Sequence, residues 1–148
     1  MKVRFKKLTP EAVTPTYAKA GDAGLDLTAV SKKQKDNLYI EYGIGIAVEI
    51  PEGYVGLLFP RSSVTEKHLI MKNCVGVIDS GYRGELRVRF KGFHAETFNG
   101  RLIYENTYEI GDRVGQLIIV PIPTIELEEV QELTDTERSV NGYGSTGK

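Results

Sequence analysis

The sequence has few of the residues that cross-links, metal clusters and membrane spans require. Among its 148 residues there is one cysteine, Cys74. A single thiol excludes an internal disulfide and any zinc site built from several thiolates. No apolar run approaches the ~20 residues of a membrane span, and residues 1–8 are basic without the apolar core of a signal peptide. We therefore expect a soluble, cytoplasmic protein in a reducing compartment, with no membrane partner.

The sequence also lacks an excess of charge of either sign. Lys and Arg number 19, against 20 Asp and Glu, which leaves a net charge of -1. Proteins that bind duplex DNA by releasing counterions need many cations on one surface, so no direct nucleic-acid partner is expected. Hydrophobic residues at 41% and charged residues at 26% are usual for a globular chain. This length is typical of one domain with a substantial core.

In two segments of the sequence, the apolar residues recur at every second position. Ile44, Ile46, Val48 and Ile50 alternate with smaller or polar residues, and so do Leu86, Val88 and Phe90. Side chains of a strand alternate between faces, so both segments are predicted to be strands with one solvated side. Further strand candidates are 3–5, 25–27, 38–40, 55–59, 102–104, 116–120 and 125–127. Turn residues between these segments favour an all-β fold, a sandwich or a barrel.

Three other segments complete the predicted organisation. One short helix is expected from Ser62 to about residue 69, capped by Ser62 or Ser63 with Glu66 at capping-box spacing. Asn99-Gly100 is predicted to be a hairpin tip, and 93–100 an exposed loop. From Thr134 the apolar periodicity stops and glycines become frequent. This Gly-rich end is either a mobile tail or an arm that becomes ordered over a ligand.

Two residues of the segment 76–86 could carry chemistry. Asp79 lies at the tip of a predicted tight hairpin. It is either a turn former whose side chain bonds local backbone, or a carboxylate at a pocket edge that accepts a proton from water. Tyr82 is either part of the core or a flat wall beside a sugar.

Polar residues at the ends of other strands are also candidates. Arg61, Ser62 and Ser63 either cap the helix or bind phosphate at its start. Gln116, in an apolar strand, must face outward or find partners. Asp26 is either part of a strand entry or an inward carboxylate that needs hydrogen-bond donors or the water shell of a metal.

The C-terminal segment combines a guanidinium, an aromatic ring and small residues rich in backbone N–H groups. Such a run can wrap phosphate oxygens in a nest. It is not a P-loop, because the Gly-Lys-Ser/Thr of that motif is missing. The residues concerned are Arg138, Tyr143, Gly144, Ser145 and Thr146.

Taken together and in this order, these segments resemble the five motifs of the homotrimeric dUTPase family. The matching segments are 20–27, 60–65, 76–86, 111–118 and 138–147. The resemblance implies a β jelly-roll subunit over 1–133 with one short helix, and an extended arm over 134–148. It further implies a homotrimer whose active sites lie at subunit interfaces, each built from three chains, with the arm reaching over a neighbour's site. Ser139 and Tyr143 stand where the family usually has Gly and Phe.

The resemblance also implies roles for the residues around the base. Asp79 would be the general base that deprotonates the attacking water. Asn73 would read the polar edge of uracil, together with the hairpin residues Val77, Ile78 and Asp79. Tyr82 would pack under the deoxyribose, and Tyr143 would stack on the uracil.

Further roles concern the phosphates. Arg61, Ser62 and Ser63 would hold them, and Arg138 would clamp the γ-phosphate. Gly144, Ser145 and Thr146 would close over the chain of phosphates. Magnesium would have no direct protein ligands, and its waters would lie near Asp26 and Gln116.

The activity that follows from the resemblance is hydrolysis of dUTP to dUMP and pyrophosphate with Mg²⁺, which supplies dUMP and keeps uracil out of DNA. One alternative is a dCTP deaminase on the same fold, which needs a carboxylate that activates water at C4 of the base. The corresponding region here holds Asn73 and the segment 76–82 instead. A second alternative is a nucleotide-binding regulatory module, and a third is a β-sandwich without a ligand.

Overall fold

The computed structural model describes residues 1–93, 95–99, 101–136 and 139–140. In these ranges the chain forms twelve strands and one short 3₁₀ helix, Ser62–Glu66. The strands are β1 (Arg4–Lys7), β2 (Leu25–Thr28), β3 (Ser31–Lys35), β4 (Tyr39–Gly43), β5 (Ile46–Glu49), β6 (Tyr54–Phe59), β7 (Leu69–Met71), β8 (Gly76–Ile78), β9 (Arg87–Gly92), β10 (Ala95–Phe98), β11 (Arg101–Tyr104) and β12 (Arg113–Pro121).

Two four-stranded antiparallel sheets make the body of the molecule. Their strand orders are β2-β12-β6-β8 and β3-β4-β9-β7, and β1-β5 and β10-β11 form separate pairs. Buried side chains of both large sheets, among them Leu27, Leu117, Tyr42 and Phe90, belong to one apolar cluster. The all-β jelly roll expected from the sequence is confirmed, and the described strands pair in open sheets and not as a closed barrel.

The alternation predicted around β9 is confirmed. Val88 and Phe90 are fully buried, whereas Arg87 and Arg89 lie on the outer side of the sheet. Burying a large apolar side chain stabilises the fold by about 1.5–3 kcal/mol relative to exposure. The pattern therefore fixes which face of β9 meets the core.

The second alternating segment, 44–50, differs from the prediction. Its apolar residues are buried, but Gly45 and Ala47 on the other side are buried as well. Gly45 has φ +66°, and a Cβ at this position would lie 2.6 Å from a methyl carbon of Thr9. The expectation of one solvated side was wrong, because the chain around Thr9 and Ala12 packs over it.

The predicted helix is shorter and of a different type. Residues 62–66 form a 3₁₀ helix preceded by Arg61 in an extended conformation, with no side-chain hydrogen bond at the cap. The expected capping box with Glu66 is therefore wrong. Leu69, the expected helix end, begins β7, which pairs with β9. Sheet pairing and the burial of Leu69 outweigh the weak local helix preference, since none of residues 62–66 is buried.

Three strands have no apolar alternation and were not predicted. β3 is a polar edge strand, Ser-Lys-Lys-Gln-Lys, and it forms by antiparallel pairing with β4. β7 follows the short helix. β10 lies inside the expected loop 93–100 and pairs with β11, although Asn99 has the positive φ of +49° that suits the predicted hairpin tip.

Beyond β12 the described chain has no strand or helix. The strand expected at 125–127 does not form, and Ile125 and Leu127 are exposed by 73% and 90%. The apolar pattern was real, but the described part of this one chain places no strand beside it. No helix among the described residues is long and apolar enough to cross a membrane.

Candidate functional site

The tight turn that follows β8 presents a free carboxylate. The hairpin expected here is wrong, because β8 pairs with β6 and the next strand, β9, belongs to the other sheet. Asp79 comes directly after Ile78, and its backbone oxygen accepts a 3.0 Å hydrogen bond from the Tyr82 amide, which closes a tight turn. Arg83 donates from Nη1 to the backbone oxygens of Ser80, at 2.6 Å, and Tyr82, at 2.9 Å. The Asp79 side chain is exposed, and within the described ranges nothing bonds to it. The turn is closed by backbone atoms, so the expected alternative in which the Asp79 side chain bonds local backbone is not what the structure shows.

Beside this turn lies an open cleft of ≈ 820 Å³. Its lining brings together four of the residues expected to bind substrate, namely Asn73, Val77, Ile78 and Tyr82. β8 is the last strand of its sheet, and among the described residues it pairs with β6 alone, which leaves one edge of its backbone unpaired there. Unpaired strand edges present N–H and C=O groups that can hydrogen-bond a ligand.

Tyr82 is fixed in position but retains a free ring face. Its hydroxyl donates to the backbone oxygen of Glu85 at 3.0 Å, and the side chain is 43% exposed. The ring packs so closely over Gly84 that a Cβ there would lie 2.3 Å from the hydroxyl oxygen. Of the two interpretations of Tyr82, the geometry fits a flat wall of the cleft and not a core residue.

Asn73 bonds to the neighbouring strand. Its Nδ2 donates to the backbone oxygen of Arg87 at 3.2 Å, and its Oδ1 accepts from the Arg89 amide at 2.9 Å. An amide side chain has two donor hydrogens and two acceptor lone pairs, so one of each remains. Asn73 thus lines the cleft while it anchors to β9.

The wall beyond Asn73 carries paired charges. Arg87 bonds Glu85 and Glu41, and Arg89 bonds Glu41 at 2.8 Å. The hydrogen bond from Arg87 to Glu85 raises the pKa of the guanidinium above its usual value. The two arginines and two glutamates on this side of the cleft therefore offset one another's charge.

A second group of polar side chains lies at the other end of β6. Asp26, Gln116 and Phe59 are cross-strand neighbours in β2, β12 and β6. Arg61 Nε donates to Asp26 Oδ1 at 2.8 Å, and Gln116 Nε2 donates to the backbone oxygen of Pro60 at 3.2 Å. Gln116 therefore finds a partner, and the inward Asp26 finds its donor in an arginine.

Sequence reasoning missed one member of this group. Arg113 Nη1 donates to Asp26 Oδ2 at 2.8 Å, so one carboxylate joins two guanidinium groups. The Asp26 side chain is only 13% exposed, whereas Arg113 is 50% exposed. An inward Asp needs hydrogen-bond donors, and this requirement was the one sequence signal that pointed toward Arg113. The sequence does not say which strand supplies those donors.

Ser62 and Ser63 begin the 3₁₀ helix next to this group. Ser62 is exposed and Ser63 half-buried. A helix of five residues has a weak macrodipole, so phosphate binding here depends on Arg61, the hydroxyls and backbone N–H groups.

The two groups of site residues are not together in one chain. Ile78 pairs with Gly56, which puts Asp79 near the start of β6, whereas Arg61 follows the end of β6 in extended conformation. The six steps along the chain from Val55 to Arg61 span about 20 Å at the usual rise of a strand. One copy therefore presents the cleft with Asp79 and the Asp26–Arg61 group as separate half-sites.

Other expected site residues lie outside the described residues. These are Arg138, Tyr143, Gly144, Ser145 and Thr146. Ser139 is described: its φ is +44°, in the left-handed region that glycine adopts easily, and its amide donates to Thr136 Oγ1 at 3.0 Å.

A family model and known protein sequences were compared with this chain, and they point to one family. The sequence model of the family described as dUTPase matches residues 10–147. The Deoxyuridine 5'-triphosphate nucleotidohydrolase of Wolinella succinogenes is 38% identical over all of this chain and 95% of its own. That of Cutibacterium acnes is 40% identical over 93% of this chain and 87% of its own.

Solved structures agree. A mutant of the Staphylococcus bacteriophage 80alpha dUTPase with dUpNHpp superposes with a TM-score of 0.83 at 32% identity, covering 99% of both chains. A mutant dUTPase from phage phi11 of S. aureus, which coordinates a structural Mg(II) ion, gives a TM-score of 0.70 at 30% identity over 89% of this chain and 98% of its own. With the family model matched over nearly its whole length, the chain belongs to the dUTPase family.

Proposed function

We propose that the protein hydrolyses dUTP to dUMP and pyrophosphate, the activity by which its relatives are named. The observation that carries this proposal is the free Asp79 carboxylate directly after β8, a strand that lines the cleft together with Tyr82 and Asn73. In this proposal Asp79 takes a proton from a water molecule in line with the α-phosphorus, and pyrophosphate leaves. Positioning and charge stabilisation supply most of the rate in such phosphoryl transfers.

Base selection would use the unpaired edge of β8. The backbone of Val77, Ile78 and Asp79 offers N–H and C=O groups there, and Asn73 keeps one donor and one acceptor free. Cytosine would put an amino donor where uracil has an acceptor, and such a polar mismatch discriminates strongly. Tyr82 would pack under the deoxyribose, where a 2′-hydroxyl has no room.

The second half-site would hold the phosphates. Arg61 offers a guanidinium that Asp26 holds in place, and Ser62, Ser63 and Gln116 add hydroxyl and amide donors. Charge-assisted hydrogen bonds from guanidinium to phosphate are about twice as strong as neutral ones.

Magnesium fits this arrangement as an ion that enters with the substrate. Among the described residues no three His, Cys, Asp or Glu side chains form a group that could hold a metal. Mg²⁺ in nucleotide sites takes phosphate oxygens and waters and needs few protein ligands. Bound there, it would neutralise phosphate charge, with its waters near Asp26 and Gln116.

We further propose that the working form is a homotrimer in which two copies join their half-sites. The support is the separation of Asp79 and Arg61 along β6, and the exposed apolar residues that follow β12, such as Ile125 and Leu127. The arm, 134–148, would then close a neighbour's site: Arg138 on the γ-phosphate, Tyr143 on the uracil, and Gly144, Ser145 and Thr146 along the phosphates. The chain would act in the cytoplasm.

The direct test is incubation of the purified protein with Mg²⁺ and, separately, dUTP, dCTP, dTTP or UTP, with chromatographic separation of products. We expect dUMP and pyrophosphate from dUTP alone. Ammonia and dUTP formed from dCTP would indicate the deaminase. Binding of dUTP without turnover would indicate the regulatory module.

The role of Asp79 is tested in the same assay. Asp79→Asn should lower kcat by about 10²–10⁴-fold, the usual contribution of a general base, while dUTP still binds. Asp36→Asn is the matched control, since Asp36 is an exposed turn residue with a positive φ that Asn tolerates. Turnover near the wild-type value in Asp79→Asn would refute the assignment.

A further inference from the structure

The segment Asn106–Tyr108 contacts both ends of the short helix that begins with Ser62. Near the first turn, Ser63 Oγ lies 3.2 Å from the hydroxyl oxygen of Tyr108. At the far end, Asn106 Nδ2 donates to the backbone oxygen of Glu66 at 2.6 Å, and Lys67 Nζ donates to that of Thr107 at 3.2 Å. This segment thus contacts the helix near its start, at its last residue and at the residue that follows.

The helix is otherwise tied to the fold by Val64, which packs half-buried against the core. It has five residues, none of them buried, and no side-chain cap at its start. Short 3₁₀ helices have poor hydrogen-bond geometry and are marginal alone. The orientation of its serines therefore depends on the segment that contacts it.

Tyr108 is itself firmly placed. It is 3% exposed, and its ring packs at 5.5 Å from Phe90 and 6.2 Å from Tyr42. Its backbone oxygen accepts a 2.8 Å hydrogen bond from the Tyr42 hydroxyl, and the Lys67 ammonium lies 5.4 Å from its ring centroid. The hydroxyl of Tyr108 is therefore a rigid point at the edge of the core.

The chemistry of phosphate sets the direction of the Tyr108–Ser63 bond. Phosphate oxygens are acceptors, so the single hydroxyl hydrogen of Ser63 must point to the phosphate when substrate is bound. The Ser63 oxygen can then only accept from Tyr108, whose hydroxyl must donate. The result is a chain of two hydrogen bonds, Tyr108 to Ser63 to phosphate, whose members polarise and strengthen one another.

We propose that Tyr108 is a positioning residue for the reaction: its buried hydroxyl orients Ser63 toward the substrate phosphates. This inference rests on the proposed function, because it gives Ser63 a phosphate to bind. It assigns a role to a core residue that lies outside the expected substrate-binding set.

A double-mutant cycle tests it. Tyr108→Phe keeps the ring and removes only the hydroxyl, and should lower kcat/KM for dUTP by about 3- to 10-fold, the worth of one hydrogen bond. Ser63→Ala should lower kcat/KM by at least as much, and adding Tyr108→Phe to it should cost nothing more. Tyr104→Phe is the matched control: Tyr104 is also buried, but its hydroxyl contacts Asn37 and Lys91, so kcat/KM should not change.

The outcomes separate the two proposals. Wild-type kcat/KM in Ser63→Ala would remove the phosphate role of Ser63, which belongs to the proposed function. An impaired Ser63→Ala with a fully active Tyr108→Phe would overturn the positioning role, and so would losses that multiply in the double variant. A general loss of stability in Tyr108→Phe would persist in the Ser63→Ala background, so the cycle also detects a merely structural effect.

Discussion

At the scale of single residues, partners supplied by the fold decide what each polar side chain does. The sequence predicts that an inward Asp26 needs donors, and the structure supplies Arg61 and Arg113 from two other segments. Local turn chemistry was predictable, as at Asp79 and Asn99, because it depends on neighbouring residues only. The partners of Asp26, Gln116 and Asn73 were not, since they are 13 or more residues away in the chain.

A buried tyrosine gives a prediction at this scale. Burial raises the pKa of Tyr42 well above its ordinary value of 10.0. The phenol therefore stays protonated in the folded protein at pH values where it ionises in the unfolded chain. Its contribution to stability is fully present below pH about 10 and is lost as the pH rises from there toward the folded pKa.

Urea unfolding at pH 7, 9 and 11 measures this effect. The free energy of unfolding should fall between pH 9 and 11 in the wild type, and fall less in Tyr42→Phe. Tyr17→Phe, at an exposed tyrosine, should keep the wild-type slope. If the free energy of unfolding fell equally with pH in wild type and Tyr42→Phe, the prediction would be contradicted.

At the scale of elements, strands with strong alternation were predictable and those without it were not. β9 follows its pattern because one face is buried and the other solvated. β3 and β7 form only because β4 and β9 offer edges to pair with. The pairing of β7 with β9 also ended the predicted helix at Glu66. This pairing stabilises the chain more than three further residues of helix would.

The link between β7 and β9 gives a prediction at the element scale. Asn73 bonds the backbone of β9 at Arg87 and Arg89, just after β7 ends. Asn73→Ala should lower the free energy of unfolding by about 1–2 kcal/mol, because two hydrogen bonds are lost. Urea titration measures it, with the exposed neighbour Cys74→Ala as a control that should change little. Unchanged stability in Asn73→Ala would mean that the strand end holds without this side chain.

At the scale of the whole molecule, the proposed function depends on the separation of Asp79 and Arg61 along β6. If one site takes Asp79 from one copy and Arg61 from another, inactive variants should complement each other. Asp79→Asn and Arg61→Ala, unfolded together and refolded as a mixture, should recover about a quarter of wild-type activity, because random assembly completes that share of shared sites.

Two controls make this experiment decisive. Each variant refolded alone should stay inactive, and light scattering should give a mass about three times the 16.4 kDa of one chain. Mixed refolding without recovered activity would mean that both residues serve the same site within one chain. A single-chain mass would refute the trimer directly.

The fold class, the strands with buried faces, the turn at Asp79 and the family followed from the sequence alone, because each depends on local pattern or on ordered motifs. The tertiary structure decided the polar strands, the early end of the helix, the arginine pair on Asp26 and the contact of Tyr108 with Ser63. It also decided that Asp79 and Arg61 lie at opposite ends of one strand. Such features depend on register and on contacts between distant segments, which no local pattern encodes.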